Sequence, residues 1–65
     1  MTLDINAEYE KQLRKLTLIS KLERLAESEE EREWYIEQFM KVTAWLVDHG
    51  VDYYFNHDQD RYVQR

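Results

Sequence analysis

The chain has 65 residues and a formal net charge of −5, with 43% apolar and 35% charged residues. That balance belongs to one small folded helical domain rather than a disordered tail. With one Gly, no Pro and no Cys, a disulfide scaffold, a Cys-based zinc module, a thiol nucleophile and a loop-rich build are excluded.

The first expected element is a helix over about 5–27. Thr2, Asp4 and Asn6 can each cap it, and Asp4 is preferred because Ile5 begins the apolar series. At 100° per residue, Ile5, Tyr9, Leu13 and Leu16 share one face. Leu18, Leu22 and Leu25 cluster nearly opposite, with Ile19 and Ala26 at the side between. The apolar surface therefore changes side near Thr17. A helix that touches two neighbours, or bends there, accounts for the change; the alternative packs one half within the chain and the other on a partner chain.

A second helix follows over about 29–49 after a tight Glu27-Ser28 turn, so the two helices are antiparallel neighbours. Ser28-Glu29-Glu30-Glu31 reads as a capping box. The Ser28 hydroxyl accepts from the Glu31 amide, and the Glu31 carboxylate reaches back to the Ser28 amide. Gly50 supplies the left-handed residue that closes the helix, with the apolar Val51 after it. The core face of this helix is broad: Tyr35, Ile36, Phe39, Met40, Val42, Leu46 and Val47. Trp34 and Trp45 lie off it, about 20° apart round the axis, on a strip shared with Gln38, Lys41 and His49.

After Gly50 the helical period is lost. Val51 to Phe55 favours extended structure, Asn56 to Asp60 reads as a turn, and Arg61-Tyr62-Val63 fits a return strand. A bare two-stranded hairpin is marginal in water, so an irregular or briefly helical aromatic tail over about 50–65, packed on the helices, is preferred.

Nothing in the chain assembles a catalytic or cofactor site. The single Gly sits at a helix end and cradles no phosphate. His49, His57 and the neighbouring aspartates match no zinc or calcium spacing, and the Glu-x-x-His pattern of di-iron helices is missing. No enzyme activity, metal or cofactor is therefore expected. A pI near 4.9 opposes a non-specific grip on nucleic acid, and acidic mimicry of DNA is diluted by nine basic residues. No apolar run reaches the roughly 18 residues of a membrane span, and no leader pattern opens the chain, so a cytoplasmic location is expected.

So short a chain, without disulfide or metal, buries little more than half of its unfolded surface. The expected fold is accordingly all-α: an antiparallel two-helix hairpin, paired into a homodimeric four-helix bundle with a short aromatic C-terminal tail. Leu13, Leu16, Ile19, Leu22, Leu25, Tyr35, Phe39, Val42 and Leu46 are expected in the core or the dimer interface. This layout is similar to that of small phage-encoded host inhibitors and of phycobilisome-degradation adaptors, a likeness of layout that carries no residue across.

The functional expectation is a non-enzymatic protein that inhibits, recruits or adapts a larger protein, the alternative being a structural subunit or assembly factor. Its expected partners are a second copy and that larger protein. The contact surface is placed on Trp34, Gln38, Lys41 and Trp45, with tail residues Tyr53, Tyr54 and Tyr62, because off-core tryptophans mark interfaces. Glu30, Glu33 and Glu37 flank it and act on association rate.

Overall fold

A computed structural model describes residues 5–65. The chain runs α1 (Ile5–Leu25), α2 (Glu29–Asp48), β1 (Tyr53–Asn56) and β2 (Arg61–Gln64). The preferred cap Asp4 and its alternative Thr2 lie outside the described residues.

α1 stops at Leu25 rather than near 27, with a last tight turn in which the Ala26 N–H donates to the Glu23 carbonyl at 3.2 Å. Ser28 then takes extended backbone angles and caps α2, its Oγ accepting from the Glu31 N–H at 3.1 Å. The return half of the expected capping box is shifted by one residue. The Glu31 carboxylate accepts from the Glu27 N–H at 3.4 Å, not from Ser28, and so ties the turn rather than the cap. At the other end Gly50 has φ 66°. Its N–H donates to the Val47 carbonyl at 3.0 Å and the Val51 N–H to Leu46 at 2.9 Å, the paired bonds of a Schellman closure. That closure turns Val51 inward, where it is buried.

The helices pack through Leu13, Leu16 and Ile19 of α1 and Val42 and Leu46 of α2, with Val51 joining them. Leu13, Leu16 and Leu46 are fully buried, each contributing roughly 1.5–3 kcal/mol of burial. Tyr9, Tyr35, Phe39, Trp45, Tyr53 and Tyr62 are half-buried round this cluster. An Arg32–Glu23 ion pair at 3.8 Å bridges the helices near the turn.

The all-α expectation is corrected by the tail, which is a β-hairpin. β1 and β2 pair antiparallel with Tyr54 opposite Val63 and Phe55 opposite Tyr62. Asn56 organises the turn, its Oδ1 accepting from the N–H groups of Asp58 and Gln59 at 3.0 and 3.1 Å. Asp60 supplies the left-handed residue, φ 54°. The hairpin is stable because it does not stand alone. β2 lies along α1, and the Tyr62 N–H donates to Thr17 Oγ1 at 3.0 Å while the Thr17 hydroxyl donates to the Leu13 carbonyl at 2.9 Å. Arg61 reaches Glu10 at 3.3 Å. Tyr62 meets Phe39, Tyr53 and Phe55 edge-on, at centroid separations of 5.1–6.2 Å. α1 thus has two neighbours, α2 and β2, and Thr17 is the buried residue that faces the strand, whereas Leu18 and Leu25, on the side to which the apolar surface shifts, are left exposed.

Candidate protein-contact surface

α2 is wider in apolar character than its neighbours can cover. α1 takes the side bearing Val42 and Leu46, and Tyr62 closes over Phe39. There the cover ends. Ile36, Met40 and Val47, expected in the core, are instead 42%, 63% and 69% exposed, which corrects the sequence reading. Together with Thr43 they fall within about 60° of each other round the axis and form a continuous solvent-facing stripe. Shallow open space lies along it: about 330 Å³ lined by Met40, Thr43, Ala44, Val47 and Asp48. At the turn end of α2 a groove of about 320 Å³ is lined by Ser20, Glu23, Arg24, Ile36, Phe39 and Tyr62.

The residues singled out from the sequence do not form one patch. Trp34 is 57% exposed, touched edge-on by Tyr35 at 5.3 Å. It borders an open hollow of about 350 Å³ with Ser28, Glu30, Glu31 and Tyr35. Trp45, on the same strip, is half-covered. His49 stacks on it at 3.8 Å and Tyr9 meets it edge-on at 6.0 Å. The Tyr9 hydroxyl also donates to the His49 carbonyl at 3.5 Å, so this cluster closes the far end of the helical pair. Gln38 is half-buried, and Lys41 is exposed and paired with Glu37 at 3.7 Å. Of the tail tyrosines, Tyr53 and Tyr62 are taken up in the hairpin's own packing. Tyr54 is 41% exposed under the Arg65 guanidinium, 5.4 Å from its ring centre. Glu30, Glu33 and Glu37 are exposed along α2.

α1 carries its own uncovered apolar positions. Leu18 is 57% and Leu25 75% exposed, and Leu22 is half-buried; Leu25, expected in the core or the dimer interface, is not in the core of the chain. The Leu18 side is basic: Arg14, Leu18, Lys21 and Arg61 border a small hollow of about 180 Å³ with Thr17 and Tyr62. The sequence reading set the Leu18, Leu22 and Leu25 side against a second neighbour or a partner chain; within the chain Leu18 and Leu25 stay exposed. The interruption by Lys11, Arg14 and Lys21 was the signal that solvent lies there.

Among the described residues no three His, Asp or Glu side chains converge in a way that could hold a metal ion. No helix among them is long and apolar enough to cross a membrane. No protein-family model, curated protein or solved structure matches the chain.

Proposed function

We propose that this chain is a non-enzymatic protein-binding module that inhibits, recruits or adapts a larger protein in the cytoplasm. The observation that carries the reading is the uncovered α2 stripe of Ile36, Met40 and Val47. A helix whose core face is already satisfied gains nothing in its own fold from three more exposed apolar side chains, and patches of this kind are characteristic of contact surfaces. Trp34, exposed at the acidic end of the same helix, is a second anchor of the type enriched at interface hot spots.

Self-association belongs to the same reading: a homodimeric four-helix bundle, supported by the small core of the single chain, is its symmetric form, and a head-to-tail assembly through the stripe is the competing one. A structural subunit of a permanent complex is the competing role. Affinity capture from the native host, with the wild-type chain and Met40→Glu side by side, tests both. Matched circular-dichroism melts with loss of the captured protein in Met40→Glu support the stripe. Identical capture by both chains refutes it. Constitutive one-to-one co-purification identifies the structural subunit, and substoichiometric, condition-dependent capture the regulator.

A further inference from the structure

The uncovered face of α2 leaves its occupant open, and spacing and charge narrow the choice. The outer positions of α2 recur at intervals of four and three: Glu29, Glu33, Ile36, Met40, Thr43 and Val47, all exposed except the half-buried Thr43. α1 carries a second outer series with the same intervals: Ala7, Lys11, Arg14, Leu18, Lys21 and Leu25, all exposed. This four-three alternation is the seam spacing of packed helices, and each series is about 27 Å long at 1.5 Å per residue.

Laid antiparallel, the two series coincide position for position. Leu18 meets Ile36, Lys21 meets Glu33, the aliphatic stem of Arg14 meets Met40, and Ala7 meets Val47. The cations stand on one series and the carboxylates on the other. Glu33 has no ion-pair partner among the described residues. Lys21, held by Asp60 at 3.3 Å, keeps 46% of its side chain exposed for a second carboxylate. A second α2 is a worse occupant, because antiparallel self-pairing sets the acidic flank of Glu33, Glu37 and Asp48 against its own copy.

The two series cannot meet within one chain. The buried faces, Leu13 and Leu16 on α1 and Val42 and Leu46 on α2, already join the helices. The outer series lies on the far side of α1 from that core but only about 100° round α2. The α1 series is thus turned well past the roughly 90° at which two copies would close into a four-helix bundle, so pairing the series between copies is head-to-tail: each copy gives α1 to one neighbour and α2 to another.

Taking the α2 stripe as the contact face proposed for this chain, we infer that the chain associates with itself head to tail, the α1 outer series of one copy docking antiparallel on the α2 outer series of the next. The contact is narrow and the association correspondingly weak.

Sedimentation velocity of the full chain from about 10 μM to 1 mM, at low and at high salt, reads it out. The expected result is a mass that grows beyond the dimer with concentration, or reaches a closed ring of three or more copies, and falls back at high salt. Glu33→Lys should weaken association about fivefold or more, as should Lys21→Glu. Mixing these two variants, or combining both changes in one chain, should restore it; Leu18→Glu should abolish it. Matched melts show that each variant folds.

A monomer at every concentration overturns the inference, as does a dimer that stops at two copies, or single charge reversals without effect. Its failure is separable from failure of the contact-face reading by titrating a synthetic helical peptide with Leu and Lys at the same four-three spacing. Amide shifts confined to residues 36–47 leave the contact face standing without self-pairing, and no binding removes both.

Discussion

Thr17→Val is the sharpest probe of how the hairpin is held. The side chains are nearly isosteric, so packing between α1 and β2 is retained while the hydroxyl is lost. Two hydrogen bonds go with it: the one Thr17 donates to the Leu13 carbonyl at 2.9 Å and the one it accepts from the Tyr62 N–H at 3.0 Å. The Leu13 carbonyl keeps its helical partner, so its loss is small. The Tyr62 N–H has no other acceptor in the packed strand, and leaving a donor unsatisfied away from water costs about 1–3 kcal/mol. In a domain of this size each kcal/mol is worth roughly 4–8 °C, so a fall of about 4–24 °C in Tm is expected. Thr17→Ser keeps the hydroxyl and removes one methyl, worth about 0.8 kcal/mol, and should lose less. Thermal melts followed by circular dichroism give the stability difference, and amide exchange at Tyr62 gives the local one. Because the hairpin can open as a unit, exchange at Tyr62 should accelerate more than exchange in the middle of α2. Thr17→Val as stable as wild type, Thr17→Ser worse than Thr17→Val, or unchanged exchange at Tyr62 would refute the account.

The two tryptophans should separate on stability: Trp34→Ala, truncating an exposed ring, within about 0.5 kcal/mol of wild type, and Trp45→Ala, opening the Tyr9–Trp45–His49 stack, down by about 1–3 kcal/mol in denaturant melts. Equal losses would mean that the strip acts as one structural unit. Ser28→Ala should cost about 1 kcal/mol through the lost cap on α2, whereas Ser28→Asp should retain most of the stability, both read from urea midpoints. Gly50→Ala meets no atom within 4 Å of the added Cβ, so its whole cost is the left-handed backbone, about 1–2 kcal/mol; a neutral result would show that the closure relaxes to other angles.

Signals carried by a few neighbouring residues were legible in the sequence. Ser28 against Glu31 starts α2, Gly50 followed by Val51 ends it, and the short link between helices makes them antiparallel; each is a local backbone requirement that these side chains meet directly. The buried residues Leu13, Leu16, Ile19, Val42 and Leu46 followed from helical periodicity. Periodicity alone could not say how wide the covered face of α2 is, because Ile36, Met40 and Val47 continue its apolar stripe without a break in pattern. Whether they are buried depends on where the neighbouring elements end, and Tyr62 closes over Phe39 and goes no further. The tail was ambiguous for the same reason. Tyr53 to Phe55 and Arg61 to Val63 have strand propensity, but an isolated hairpin is marginal, and only its docking on Thr17 through the Tyr62 amide, with Arg61 on Glu10, makes the strand state worth its ordering. Likewise Trp34 and Trp45 occupy equivalent places on the helical wheel, yet Tyr9 and His49 cover one and leave the other in solvent. Caps, turns and periodic faces were thus determined by residues close together in the chain. Exposure, and with it the candidate contact surface, was decided by contacts across as many as 51 positions, which a local pattern does not encode.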